Sequence, residues 1–277
     1  MPKVKLYLIC ELPAEHFSLW DDGLRAALRV LVDKYNYSVH IFNLTPGEAI
    51  PDDADFYLFW GALERKQHGR RFFPKQGLCF AGGPTNNLNI NNFDVIFAES
   101  QEDFDSFKEK GVNVVKAFGT NTKLFKPLNY PKVIDYLYPA AFALWKNHFK
   151  FVDYVKSHKV DKRLPIALAV GYKQPDGVDK ECYEVCEKNG VLTMSWVSPE
   201  VLLTLYNLSK NVLITGDKDG GCQRVVLEGK ACGIPVIIES DSPKLLELKD
   251  LTREDVLRDW SETAYAEKLK EGIEGVL

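Results

Sequence analysis

The stretch Asp217-Lys-Asp-Gly-Gly-Cys-Gln-Arg-Val-Val-Leu-Glu-Gly-Lys-Ala-Cys-Gly-Ile-Pro-Val-Ile-Ile, running to Ile238, holds the residues whose types and spacing best suit chemistry. Gly220 and Gly221 precede a short amphipathic run that carries one acid, Glu228, and ends at Gly233 before the apolar Ile234–Ile238. This order reads as loop, helix start, C-terminal glycine cap and buried strand. Small residues let a ligand approach the backbone, and the N–H groups of a helix start attract phosphate. Glu228 lies among Val225, Val226, Leu227 and Ala231, close to the apolar face of that helix, where an unpaired carboxylate is costly. It can accept bonds from sugar hydroxyls there, or stand as a surface acid beside Lys230. Arg224 falls on the first turn, where a guanidinium either grips phosphate bidentately or lies on the surface.

Apolar runs alternate with amphipathic stretches almost from end to end, and these must position such residues. Strands are predicted over Val4–Cys10, Ser38–Asn43, Phe56–Trp60, Leu78–Ala81, Val95–Ala98 and Val114–Ala117, with helices over Trp20–Lys34 and Gln101–Lys110. The series then restarts. Strands over Val133–Tyr138, Ile166–Val170, Val191–Met194, Val212–Thr215 and Pro235–Ile238 alternate with helices over Ala143–Ser157, Lys180–Asn189, Pro199–Ser209 and Val225–Cys232. Strand–helix alternation implies parallel sheets with helices on both faces, and the restart implies two doubly wound α/β halves. Gly, Asn and two prolines interrupt the periodicity in Gly119–Pro131, so the halves are expected to join there, as domains 1–127 and 128–258.

With 277 residues, 45% hydrophobic and 27% charged, the chain is long enough for two modest cores. Its net charge of −4 is evenly spread, so no basic half or tail announces a nucleic-acid partner. The basic cluster Arg65–Arg71 is short and reads as a solvated loop, with an acceptor or phosphate contact as the second reading. The six cysteines form no C-x-x-C pair, and Cys182 with Cys186 lacks a second ligand pair, so neither zinc nor disulfides are expected. No apolar run reaches ~18 residues and the first apolar segment is too short for a signal peptide. A cytoplasmic protein without a membrane span is the expectation.

The Asp217–Ile238 stretch resembles the donor-binding motif of the "group 1" retaining GT-B glycosyltransferases (family 4-like), roughly E-G-F-G-x-x-x-x-E-A-x-A-x-G-x-P-V. Gly221, Glu228, Ala231, Gly233, Pro235 and Val236 match, while Gly220 stands where the family has its first glutamate. Ala117-Phe-Gly-Thr-Asn-Thr-Lys-Leu-Phe-Lys-Pro127 is similar to the family's interdomain segment, and Phe97-Ala-Glu-Ser-Gln-Glu-Asp-Phe to the strand and serine before it. Asp259-Trp-Ser-Glu-Thr-Ala-Tyr-Ala-Glu-Lys-Leu resembles the family's final helix, which implies that 259–277 packs back towards the N-terminal domain. The resemblance covers roughly residues 93 to 248, and the first 90 residues match only in rhythm.

This resemblance implies a GT-B fold, two Rossmann-like domains with a cleft between them. It further implies transfer of a sugar from a UDP-, GDP- or ADP-sugar, with retention and without a metal or other cofactor, to an acceptor the sequence does not identify. The family's cations are an Arg and a Lys just after the first strand of the second domain. Lys146 falls where that lysine belongs, and Ala141 is near the place of the arginine, which Arg224 can replace. Lys146 and Arg224 are thus the implied catalytic cations. Glu228 would hold the ribose, with Asp219, Gly220, Gly221, Cys222 and Gln223 around the donor. Met194-Ser-Trp-Val-Ser-Pro-Glu resembles the turn whose backbone reads the base, so Trp196 would stack on the base or pack between domains.

In the first half, Glu11–His16 and Gly82-Gly83-Pro84 follow strands and so belong at the sheet edge where ligands gather. His16, Gly82 and Gly83 are the candidate acceptor or sugar contacts, and His68 is a second histidine that can touch the transferred sugar or stand as an exposed loop residue. The pairs Asp53-Ala-Asp55 and Asp217-Lys-Asp219 read as solvated loop carboxylates rather than metal ligands. Two other readings stay open: a GT-B-shaped protein that binds nucleotide or glycan without turnover, and a transferase acting on nucleic acid.

Overall fold

The structure, a computed structural model, describes residues 3–10, 23–43, 50–60, 73–80, 89–160, 162–172, 180–218 and 221–277. The chain forms two compact units, one of Met1–Gly119 with Asp259–Leu277 and the other of Thr120–Arg258.

In the first unit, β1 (Val4–Cys10), β2 (Tyr37–Asn43), β3 (Phe56–Trp60), β4 (Gln76–Phe80), β5 (Val95–Ala98) and β6 (Val114–Lys116) make one sheet of order β2-β1-β3-β4-β5-β6. Every pairing is parallel. Successive side chains of a strand face opposite sides, and both sides of β1 are buried. Leu6 and Leu8 join a core with α1 (Gly23–Tyr35) and the last helix, while Tyr7 and Ile9 join a second core with Phe107 of α2 (Gln101–Glu109). Ser100 caps α2 by accepting from the Asp103 amide.

In the second unit, β7 (Ile134–Pro139), β8 (Ala167–Val170), β9 (Leu192–Met194), β10 (Ser209–Ile214) and β11 (Val236–Ile238) form a parallel sheet of order β11-β10-β7-β8-β9. Its helices are α3 (His148–Ser157), α4 (Lys180–Lys188), α5 (Pro199–Leu208), α6 (Gln223–Ala231), the short α7 (Pro243–Leu246) and α8 (Arg253–Asp259). The chain returns to the first unit with α9 (Glu262–Glu274), capped by Ser261; Trp260 lies just before this cap rather than within the helix. Both sheets have the doubly wound pattern expected from the alternation. No helix among the described residues is long and apolar enough to cross a membrane.

One predicted helix is corrected. Ala143–Ser157 is broken into a 3-10 turn, Leu144–Lys146, and α3, because Asn147 sits in the left-handed region at φ 50° and ψ 56°. Asn tolerates that region, and its side chain then caps α3 by accepting from the Lys150 amide at 3.1 Å. The predicted helix end at Ser209 is instead the first residue of β10.

The N-terminal edge of the second sheet is tied by Asp135. Its buried carboxylate accepts from Arg163, Lys210 and the Ile166 amide, each at 2.8 Å. Burial alone would raise its pKa, but these bonds outweigh it and hold the group down at about 2, from an ordinary 3.8. A depressed pKa adds stability that is complete above the unfolded value and lost as pH falls towards the folded one. The second unit should therefore lose roughly 2 kcal/mol between about pH 4 and pH 2 through this group. Acid titration of unfolding free energy should show this slope in the wild type and not in Asp135→Asn, which should also be less stable near neutrality.

Candidate functional site

In an open parallel sheet, ligands gather beyond the strand C-termini where the strand order reverses. In the second sheet that point lies between β7 and β10, because β8 and β9 extend to one side and β11 to the other. The segment after β7 carries Lys146, and the segment after β10 leads through Thr215–Cys222 into α6.

These two segments are stitched together. The Asp217 amide donates to the Trp145 carbonyl at 3.0 Å, and the Thr215 hydroxyl donates to the Asn147 carbonyl at 3.0 Å. The Asn147 side-chain amide donates to the Asp217 carboxylate at 2.7 Å. Lys146 itself reaches across, with its ammonium bonded to the Gly221 carbonyl. From the strand side, the Tyr138 hydroxyl donates to the Lys146 carbonyl at 2.5 Å. Burial, and then the nearby Cys222, holds the Tyr138 hydroxyl well above its ordinary pKa, so it stays a donor.

His148, the first residue of α3, is fully buried and stacks on Phe142 at 4.7 Å between ring centroids. Burial, and secondarily the Lys146 charge, lowers its pKa to about 3. The ring is neutral near pH 7, so Lys146 has no second cation beside it from this source.

Helix α6 starts at Gln223 with Cys222 as its N-cap, and Cys222 makes no side-chain capping bond. The amides of such a first turn point away from the helix body, where they and the helix dipole favour an anion. At the other end Gly233 adopts φ 70°, the Ile234 amide bonds the Gly229 carbonyl at 3.0 Å, and the Gly233 amide bonds that of Lys230 at 2.9 Å. This closes the helix with the glycine cap read from the sequence.

Glu228 points into the protein. It is buried, accepts from the Tyr206 hydroxyl at 2.8 Å, and lies 3.5 Å from Arg224 one turn earlier. Burial, then the Glu228 charge, keeps Tyr206 protonated well above its usual range. Tyr206 lies inside the apolar helix α5, and nothing in the sequence signalled that its hydroxyl meets Glu228.

Lys146 thus meets Gly221 just before α6, whose first turn carries Gln223 and Arg224 after the Cys222 cap, while Glu228 lies one turn further along the same helix with its carboxylate buried against Tyr206. Trp196 is half-buried and follows β9, at the same sheet edge but two strands away from β7. His16, His68, Gly82, Gly83, Asp219 and Gly220 lie outside the described residues. The Asp53 and Asp55 carboxylates bond Tyr7 and the Lys5 amide at the opposite, N-terminal end of β1. Among the described residues no three His, Cys, Asp or Glu side chains come together as metal ligands.

One further constraint shapes the edge. Gly171, directly after β8, presses against the chain after β7: a Cβ there would coincide with the Ala140 carbonyl and lie 2.8 Å from the Ala141 amide nitrogen. The two strand ends are latched beside it by a bond from the Phe142 amide to the Tyr172 carbonyl at 3.0 Å.

No family model and no curated protein matches this sequence. Solved structures do match over nearly the whole chain. A glycosyltransferase from Rickettsia africae ESF-5 aligns with 99% of this chain and 98% of its own, at a TM-score of 0.66 and 14% identity. AviGT4, a glycosyltransferase involved in avilamycin A biosynthesis, covers the same shares at a TM-score of 0.67 and 14% identity. HepE of Anabaena, solved in complex with UDP-glucose, aligns with 98% of this chain and 95% of its own, at a TM-score of 0.60 and 14% identity. These likenesses establish the fold: two Rossmann-like, doubly wound domains of the GT-B type.

Proposed function

We propose that this chain is a glycosyltransferase that moves a sugar from a nucleoside diphosphate sugar, held by the second unit, to an acceptor. The observation that carries this reading is the convergence of Lys146 and the start of α6 at the switch point of the second sheet, joined by the Lys146–Gly221 bond. As the bond to the sugar breaks, negative charge builds on the departing diphosphate. The Lys146 ammonium and the first-turn amides of α6 stabilise that charge where it develops. Arg224 adds a second cation, partly offset by Glu228 at 3.5 Å. Tyr206 orients the Glu228 carboxylate, which accepts from the ribose hydroxyls. Trp196 contacts the base from the end of β9. Asp219 and Gly220 complete the donor loop, and His16, Gly82 and Gly83 serve the acceptor or the transferred sugar. Retention of configuration and independence from a metal follow the family the sequence resembles. The fold of the Anabaena protein seen with UDP-glucose supports a nucleotide-sugar donor.

The test is thermal unfolding of the full chain with UDP, GDP and ADP. A diphosphate present at ~100 times its dissociation constant should add ~2.7 kcal/mol, and Glu228→Ala should remove about 1.5–3 kcal/mol of binding free energy. No stabilisation by any of the three, or unchanged affinity in folded Glu228→Ala, would remove the donor site as drawn. Sugar release from the matching nucleotide sugar separates a working transferase from a protein that only binds.

A further inference from the structure

We propose that Asn147 is a positioning residue for Lys146, acting through Asp217; its functional consequence rests on the reading of Lys146 as a leaving-group cation. Asn147 is not part of the resemblance, and the apolar spacing of the sequence runs straight through it. Its backbone, at φ 50° and ψ 56°, ends the 3-10 turn and turns the chain into α3, so that Lys146 occupies the last position before a sharp change of direction. Both halves of its side-chain amide are used. The oxygen accepts from the Lys150 amide at 3.1 Å, and the nitrogen donates to Asp217 at 2.7 Å. Its carbonyl accepts from Thr215 at 3.0 Å.

The residues on either side of Lys146 are therefore each bonded to the segment that leads to Gly221, since Trp145 accepts from the Asp217 amide at 3.0 Å. The lysine's own carbonyl is held by Tyr138. A long flexible side chain delivers charge reliably only when its backbone is held this way, and the fixed geometry is established before a ligand arrives. Asp217, which the sequence offers as half of an Asp-x-Asp pair, is on this view the acceptor of the clamp.

Asn147→Asp keeps the cap for the Lys150 amide but sets a second carboxylate against Asp217. Adding Asp217→Asn in the same chain rebuilds the bond with donor and acceptor exchanged. The first measurement is acylation of Lys146 by acetic anhydride, with the exposed Lys150 as the reference in the same digest. N147D should raise Lys146 labelling by about fivefold, and the N147D/D217N pair should return it to the wild-type rate. Asn147→Gly, which accepts the left-handed backbone, should shift labelling in the same direction and provides the reading if N147D does not fold. The second measurement is affinity for UDP, GDP and ADP against the matching monophosphates. N147D should weaken the diphosphate that binds by about tenfold, with the swap restoring it and the monophosphate little changed.

Unchanged Lys146 labelling in N147D, or a rise that persists in the swapped pair, overturns the inference. Labelling that follows the swap while no diphosphate binds the wild type would keep the inference and remove the nucleotide reading instead.

Discussion

Lys146→Met is expected to lower turnover of the nucleotide sugar by about 10²–10³-fold, the cost of deleting one preorganised group that stabilises transition-state charge. Methionine keeps the apolar stem, and the backbone bond from Tyr138 to residue 146 does not depend on the side chain, so the fold should survive. What is lost is the ammonium bonded to Gly221 at the start of α6. The deficit should fall on kcat at saturating donor more than on KM, because the charge it meets exists chiefly in the transition state. Arg224→Met should cost less, since that guanidinium already faces Glu228. A Lys146→Met variant with kcat within about twofold of wild type would show that the lysine does not carry the leaving-group charge.

The second large effect is structural. Gly171→Ala should destabilise the second unit by about 3 kcal/mol or more, because the added methyl meets backbone on the facing segment instead of a side chain that can rotate away. At this size that corresponds to a fall of roughly 6–12 °C in Tm. To admit the methyl, the chain at Ala140 must move, and Lys146 hangs on that same segment six residues later. Donor affinity and turnover should fall with stability, whereas a helix-surface substitution of similar size should leave all three alone. Calorimetric unfolding of the variant checks this, and a Tm within about 1 °C of wild type would mean the crossing relaxes without cost.

Much of the framework was legible because buried parallel strands leave plain apolar runs. Val4–Cys10, Phe56–Trp60 and Val95–Ala98 are found with the bounds read from the sequence, and the remaining predicted strands differ only at their ends. The helix of Glu228 and its glycine cap were legible for a local reason: Gly233 alone suits φ 70° after an amphipathic turn. Three features were not. Asn147 interrupts a stretch whose apolar spacing continues through it, so periodicity had no reason to break there. The Tyr206–Glu228 bond joins residues 22 apart on different helices, and a tyrosine in an apolar run shows where its ring goes but not where its hydroxyl ends. Asp135 reads as a single acid inside a strand, and its partners Arg163 and Lys210 are set by the strand order, which no local pattern encodes.

On the proposed function, a nucleoside diphosphate sits at the C-terminal ends of β7 and β10, beside Lys146 and the first turn of α6. Amide hydrogen exchange of the full chain, with and without the diphosphate that stabilises it, tests this most directly. Exchange should slow in residues 144–147 and 221–226 at saturation. Saturating binding that leaves both stretches unprotected and slows exchange elsewhere would contradict the claim.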